Sequence, residues 1–494
     1  MAAVPLLYLA VRAGEDGLAR VADVLLRART AELLGRSLLL AVLVTAGCVV
    51  LGVAAAWLVV RTDVPGRRAW AVVAAMPLAI PSYVAGYAWI SSAPWLAGLP
   101  GAALVLTLCC YPYVYLPVAA ALRGLDPAQA EVSRAFGAGS ATTFTRVVLP
   151  QLAPAIGGGA LLVSLYALSD FGAISIMRYD AFPLAIYTSY RASFDRTPAA
   201  VLGCLLVAVT LVVVALEART RGRGRVYAAG GGAPAAPARI ALGRFRVPAV
   251  LTLLALAALA LGLPAASMAH WLVLGTAGGI DLPDVGRAAA GTVFLSALGA
   301  LVTTALAIPI GVLAARSRTR LVTVLERTSY AGHALPGIVV ALSVVFLAVR
   351  YFRPLYQTTP NLVMAYVVLF LPLGVAAVRG SVAQFPPALE EVGRSLGRRP
   401  LQVLGSITMP LAAPGVAAAA TLVFLTCMKE LPATLLLVPT GMDTLATRLW
   451  TKTGVAAYSE AAPYAALLVL LSAVPTWLLG RRIDSRRADA VELA

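Results

Sequence analysis

This 494-residue sequence contains few charged residues. Charged side chains make up 12% of the chain, which is roughly half of the ~25% found in soluble domains. Hydrophobic residues make up 60%, and the mean hydropathy is +0.87. So little charge excludes a disordered chain and an ordinary cytosolic enzyme. A polytopic membrane protein remains, and at about 20 residues per span the length allows about a dozen membrane helices.

Lysine, histidine and cysteine are also rare. Lys429 and Lys452 are the only lysines, and arginine supplies most of the net charge of +17. The five cysteines lie in apolar runs without metal-ligand spacing, so we predict small buried side chains and no metal site. The chain has no Gly-x-x-x-x-Gly-Lys-Ser/Thr phosphate loop with which to hydrolyse ATP. It also lacks a convergent acid–base cluster, so we predict no catalytic residues and disfavour a membrane enzyme.

Long apolar runs predict eleven transmembrane helices, each about long enough to cross a bilayer. They lie near residues 36–60, 69–93, 102–122, 152–176, 199–216, 247–268, 291–315, 329–350, 361–378, 411–437 and 462–480. A twelfth run, Ala2–Val11, is too short to span. It is either an interfacial helix or the remainder of a span that starts upstream, and an even number of spans favours the second alternative.

The arginines test this topology. With a cytoplasmic N-terminus and alternating sides, most of them fall in the inner loops, as the positive-inside rule requires. This distribution explains the basic excess without nucleic acid. Residues 217–246 are rich in Gly, Ala, Pro and Arg and lack apolar periodicity, which predicts a flexible cytoplasmic linker between residues 1–216 and 247–494.

The two halves share an internal repeat. A segment that begins at Glu131 matches one that begins at Glu391, and upstream of it the offset falls from 260 to 255 residues. The matched pairs are Val132 with Val392, Arg134 with Arg394, Gly137 with Gly397, Pro150 with Pro410, Pro154 with Pro414, Asp170 with Glu430, Arg61 with Arg316 and Pro81 with Pro336. We therefore predict an all-α membrane protein with two parallel repeats of about six helices each, the first helix apparently truncated.

The repeated segments occupy loops 123–150 and 379–410. The residue pattern of each loop predicts a short helix, a break at Gly137 or Gly397 and a second short segment. A proline would then start the next membrane helix. Such a loop is longer than a membrane turn requires. Its apolar residues indicate contact with a protein surface, either in this chain or in a partner. In the first loop these residues are Val132, Phe136, Val147 and Val148.

The two loops resemble the EAA loops of binding-protein-dependent ABC importer permeases, whose type I fold the resemblance implies. The residues that carry the match are Glu131, Arg134, Gly137, Leu149 and Pro150 in the first loop, and Glu391, Arg394, Gly397, Met409 and Pro410 in the second. The alanine pair of the family is replaced by Val132–Ser133 and Val392–Gly393. In that family the loop forms a coupling helix that sits in a cleft of the ATPase subunit.

The resemblance implies several partners. Two coupling loops in one chain imply two copies of a cytoplasmic ABC ATPase, and an extracytoplasmic binding protein would deliver the substrate. ATP and Mg²⁺ would bind to the ATPase, and this chain would hold no cofactor. The resemblance also implies a multi-pass protein of the bacterial cytoplasmic membrane that is a transport subunit rather than an enzyme and works by alternating access.

A narrower resemblance concerns the substrate. The segment from Met428 to Trp450 resembles the fifth-span region of ferric-iron importer permeases, and Ser169–Ala173 resembles their acidic-Phe-Gly segment. Thiamine, phosphonate and polyamine permeases are relatives with similar halves, so these substrates remain alternatives. Outside the family, parallel repeats also occur in secondary transporters driven by ion gradients, although the paired loops argue against that class.

Three charged residues fall at predicted bilayer depth, namely Asp170, Lys429 and Glu430. Charges there are costly and usually face the interior of a bundle or an aqueous path. One interpretation is that they line or gate the translocation path. The other is a structural ion pair between Lys429 and Asp170.

Overall fold

The computed structural model describes residues 3–125, 128–192, 196–220, 240–317, 319–331 and 335–473. Within these ranges the chain is helical apart from turns and one isolated bridge between Thr62 and Ile240. The predicted all-α class is therefore confirmed for the described chain. Most of the predicted linker, from residue 221 to 239, lies outside the described residues.

In the described ranges, thirteen α-helices precede that gap. They are α1 Ala3–Gly14, α2 Leu18–Leu25, α3 Ala28–Arg61, α4 Arg67–Val73, α5 Ser82–Ser92, α6 Leu99–Cys110, α7 Pro112–Gly124, α8 Ala128–Ala135, α9 Ser140–Thr143, α10 Leu149–Ser169, α11 Gly172–Ile176, α12 Phe182–Ala192 and α13 Thr197–Thr220. A π-helical turn, Phe144–Val148, leads into α10.

The second half repeats much of this order. Its helices are α14 Arg246–Ala257, α15 Leu263–Gly278, α16 Leu282–Arg316, α17 Arg320–Ala331, α18 Gly337–Tyr351, α19 Thr359–Val382, α20 Ala388–Ser395, α21 Pro400–Val403, α22 Met409–Lys429, α23 Pro432–Leu437, α24 Leu445–Gly454 and α25 at 458–473. A π-helical turn, Leu404–Thr408, leads into α22. A third π-helical turn, Ala258–Gly262, joins α14 to α15.

Eight helices of the described chain are long and apolar enough to cross a membrane, or nine if a bent pair is one span. The bent pair joins Arg67–Ala79 to Ser82–Ser92 at 92°, where a single span was predicted. Pro81 causes this difference: it lacks an N–H and takes an extended conformation with ψ 144°. The span predicted at 329–350 also differs, because the 15-residue α18 begins only at Gly337, after the extended Pro336 (ψ 133°).

The chain packs as two compact units. One contains residues 1–27, 186–207 and 272–494, and the other contains residues 28–185 and 208–271. Within the first unit, α1 packs against α18, and the rings of Tyr8 and Tyr351 meet edge to face with centroids 5.4 Å apart. These units group residues by contact, whereas the domains predicted from the repeat, 1–216 and 247–494, stay a prediction.

Small residues allow the long helices of the first unit to approach closely. A Cβ atom on Gly299 of α16 would lie 2.7 Å from the ring of Tyr366 on α19. Further along the same helix, a Cβ on Gly311 would lie 2.8 Å from Val378. Small residues at such contacts are the usual way in which membrane helices pack, since lipid offers no hydrophobic drive for their association.

Candidate functional site in two repeated loops and two helix breaks

The first repeated loop begins with α8, whose end is sharply defined. Gly137 follows it with φ +80°, a conformation that glycine adopts without a Cβ penalty. The amide of Ala138 donates to the carbonyl of Ser133 at 3.2 Å. This six-to-one bond closes a Schellman cap, which satisfies a carbonyl at the helix end and reverses the chain.

The second loop has the same cap. Gly397 has φ +81°, and the amide of Arg398 donates to the carbonyl of Gly393 at 3.2 Å. The amide of Gly397 also donates to the carbonyl of Arg394 at 3.0 Å. The predicted short helix and glycine break are thus confirmed in both loops.

A second short helix, α9 or α21, follows each glycine, and the chain then enters a long helix through a π-helical turn. Leu149 and Met409 are the first residues of α10 and α22, so Pro150 and Pro410 lie in the first turn. Helical backbone already precedes these prolines, because the helices run continuously over Phe144–Ser169 and Pro400–Lys429. The membrane helices therefore begin before the prolines, contrary to the prediction, and the π-helical turn at the junction was not predicted.

Each loop exposes large apolar side chains at equivalent positions. Phe136 is 89% exposed and Leu396 is 76% exposed, and both lie one residue before the capping glycine. Val132 and Val392 are also exposed, while Val148 is buried in the first loop. The described chain therefore covers one apolar face of each loop and leaves the other uncovered.

The second loop is tied to α16 by a glutamate that the motif match did not select. The Arg316 Nε donates to Glu390 Oε1 at 2.9 Å, and Thr408 Oγ1 donates to the same oxygen at 3.0 Å. Arg316 also donates to the carbonyl of Phe385 at 3.1 Å. The motif residue Glu391 is exposed. The anchoring role therefore belongs to Glu390, which the repeat does not single out, since the matching residue of the first loop is Ala130.

In the part of the first loop that the structure describes, hydrogen bonds join neutral side chains. Ser133 and Thr143 hydroxyl oxygens lie 3.1 Å apart and join α8 to α9. Gln151 of α10 donates to Gln129 of α8 at 3.0 Å. The motif residue Glu131 is exposed, as is Arg394 in the second loop. The side chain of Arg134 lies outside the described part of the structure.

Asp170 occupies the break that ends α10. Its carboxylate accepts a hydrogen bond from the hydroxyl of Ser82, the first residue of α5. It also accepts from the amides of Ala173 at 2.8 Å and Ile174 at 3.3 Å, in the first turn of α11. Asp170 is buried, and the hydroxyl of Tyr166 on α10 also donates to its carboxylate.

Glu430 occupies the equivalent break after α22. Its Oε1 accepts from the amide of Ala433 at 3.1 Å, and its carbonyl accepts from Thr434 Oγ1 at 2.6 Å. The Thr434 hydroxyl in turn lies 2.8 Å from that of Tyr366. Lys429, the last residue of α22, is half-buried. All three predicted path residues thus lie at helix breaks, and both interpretations of them stay predictions.

The cysteines agree with their predicted role as small apolar side chains. Cys48, Cys109, Cys110 and Cys427 are buried and Cys204 is half-buried. Across the described ranges, no group of three or more His, Cys, Asp and Glu side chains could hold a metal ion.

The sequence of the whole chain was compared with known families. Residues 48–221 and 307–487 match the binding-protein-dependent transport system inner membrane components. The chain belongs to this family. It is thus an ABC importer permease, a multi-pass subunit of the bacterial cytoplasmic membrane, and the predicted fold class is confirmed. The family matches the chain twice, but the division into two parallel repeats stays a prediction.

Two related proteins and one solved structure show what this chain is similar to. The Fe(3+)-transport system permease protein FbpB 2 of Haemophilus influenzae is 38% identical over 480 residues, which are 96% of this chain and 95% of that protein. The sulfate transport system permease protein CysW of Synechocystis is 31% identical over 189 residues, 33% of this chain and 67% of that protein. The solved MetNI methionine ABC transporter matches 41% of this chain and 95% of its own at 18% identity and a TM-score of 0.35.

Proposed function

We propose that this permease carries ferric iron from an extracytoplasmic binding protein into the cytoplasm. The observation that carries the proposal is the 38% identity to a ferric permease, which extends over 96% of this chain and 95% of the relative. The similarity to the sulfate permease covers only a third of this chain. A match over nearly the whole chain includes the outer loops, which contact the binding protein, and the membrane interior, which contacts the substrate. The ferric permease is therefore a better guide to the substrate than a relative that matches a third of the chain.

We further propose that two ATPase subunits dock on the two repeated loops. Phe136 and Leu396 are equivalent in the repeat, and each projects from a capped helix into solvent. Large apolar side chains of this kind, set in a polar rim, are typical anchors of protein interfaces. ATP and Mg²⁺ would bind to the ATPase subunits, and this chain would contribute the surfaces that they move.

The loops have a direct mechanical path to the membrane. Each loop passes through a π-helical turn into a 21-residue helix, α10 or α22. The second loop is also held to the end of α16 by the pair of Arg316 and Glu390. Closure of the ATPase subunits on ATP would thus displace α10 and α22, the long helices that follow the two loops, and drive alternating access.

Purification of the full-length permease from its native membranes tests the proposal. We expect an ATPase and an iron-loaded binding protein among the recovered partners, together with uptake of radioactive ferric citrate that vanadate inhibits. An ATPase with an iron-free binding protein would move the substrate to sulfate, thiamine or another relative. Uptake that continues without any ATPase and stops with an ionophore would instead support a transporter driven by an ion gradient.

A further inference from the structure

Each packing unit contains an acidic side chain that reaches from a helix break to the start of another helix. In one unit Asp170, at the end of α10, reaches the start of α5. In the other unit Glu430, at the end of α22, reaches the start of α18. The two acids match in the internal repeat, and so do the helices that they reach.

The helix starts have the same backbone geometry. Pro81 and Pro336 are both extended, with φ −59° and −60°. The carbonyl of Pro81 accepts from the amides three and four residues later at 3.0 and 3.1 Å. The carbonyl of Pro336 does the same at 2.9 and 3.2 Å. Any difference between the two contacts therefore arises from the side chains.

The side chains differ in a compensating way. At the first break, in the unit that contains residues 28–185, the short carboxylate of Asp170 meets the hydroxyl of Ser82, which supplies a donor. At the second break, the Glu430 carboxylate is one methylene longer and meets Gly337, which has no side chain. A Cβ on Gly337 would lie 2.8 Å from Glu430 Oε1, so the longer acid fills the space that a serine side chain would need.

We propose that Asp170 with Ser82, and Glu430 with Gly337, are two length-matched fasteners that position the helix after the proline. The carboxylates act as positioning groups within the protein and are not ligands of the cargo. Each fastener also stabilises its own break, because Asp170 accepts from the amides of α11 and Glu430 from the amide of Ala433.

The fasteners complete a path from each loop to the membrane interior. The first loop continues into α10, and α10 ends at Asp170, which holds the first turn of α5. The second loop continues into α22, which ends at Glu430 beside the first turn of α18. A displacement of either loop would therefore move α5 or α18 together with the long helix, and loss of a fastener would uncouple them.

The length match allows a reciprocal test in the full-length protein. The single variants are Asp170→Glu, Ser82→Gly, Glu430→Asp and Gly337→Ser, and the two double variants combine each pair. Asp170→Glu with Ser82→Gly builds the second type of fastener in the first position, and the other double variant does the reverse. Ser92→Gly, at the opposite end of α5, is the matched control.

Two readouts are needed, namely thermal unfolding in nanodiscs and radioactive ferric citrate uptake per folded protein. We expect each single variant to lower the unfolding midpoint by several degrees and to reduce uptake at least tenfold, through strain or a lost hydrogen bond. We expect both double variants to recover most of the stability and uptake, and Ser92→Gly to match the wild type.

The proposal is overturned if the double variants are as defective as the sum of their single variants, or if the single variants behave like the control. Loss of uptake in a double variant that unfolds like the wild type would assign the carboxylates to the cargo path instead. A wild-type protein that does not transport iron would contradict the proposed substrate, but the unfolding measurements would still decide the fasteners.

Discussion

Arg316 and Glu390 form an ion pair in which Nε and Oε1 are 2.9 Å apart, and both side chains are mostly buried. The pair joins the last residue of α16 to α20, 74 residues later. Because Thr408 donates to the same carboxylate oxygen, Glu390 lies at the centre of the second loop.

Glu390→Gln is therefore expected to destabilise the second loop. Hydrogen bonds to a charged group contribute about 1.5–3 kcal/mol, and the variant would leave Arg316 partly buried without its counter-charge. We expect a lower unfolding midpoint in nanodiscs. Glu391→Gln is the matched control, because Glu391 is the adjacent acid in the same helix and is exposed. Equal destabilisation by the two variants would contradict the assignment.

The exposed apolar residues of the loops lead to a second prediction. Phe136→Ser and Leu396→Ser are each expected to weaken ATPase binding by about 2 kcal/mol, as for interface hot spots, with an unchanged unfolding midpoint. The measurement is the amount of ATPase recovered with the purified permease. Leu282→Ser is the control, since Leu282 is 70% exposed at the opposite end of α16 from Arg316. An equal loss of ATPase in this control would contradict the prediction, because replacement of an exposed leucine outside the loops would then have the same effect.

The sequence predicted those features of the loops whose conformation is determined by residues close together in the chain. Gly137 and Gly397 have a local conformational requirement, so their spacing was enough to predict the breaks. It was not enough to choose between Glu390 and Glu391. Adjacent residues on a helix point about 100° apart, and only the position of α16 shows which of the two faces Arg316.

The contacts of the two fasteners could not be predicted from the sequence for a similar reason. Asp170 and Ser82 are 88 residues apart, and nothing in either local sequence indicates their contact. Both acids were therefore interpreted from their depth in the membrane alone. Pro81 and Pro336 lie within the predicted spans 69–93 and 329–350, but hydropathy does not distinguish a kinked helix from one that ends and restarts, as at Pro81, where the angle is 92°.

The glycine at the end of α20 gives a third prediction. Gly397→Val is expected to cost about 1–2 kcal/mol, because a left-handed conformation brings Cβ close to a carbonyl oxygen, while Gly397→Asn should cost less. No heavy atom lies within 4 Å of a Cβ at this position, so the cost is conformational. Unfolding in nanodiscs measures it, with Gly405→Ala as the control in open space without a positive φ. A cost for Gly405→Ala that equals that of Gly397→Val would contradict this explanation.

Close packing of α16 against α19 gives the last prediction. Gly311→Ala places a methyl group 2.8 Å from Val378 and 3.1 Å from the backbone nitrogen of Arg379, so the helices must separate. Overpacking of this kind costs about 1–3 kcal/mol. Gly286→Ala on the same helix is the matched control, because its methyl group would meet no heavy atom within 4 Å and alanine favours the helix. Since α16 ends at Arg316, we expect Gly311→Ala also to reduce ATPase recovery, whereas an effect on stability alone would show that the second loop keeps its place without this helix contact.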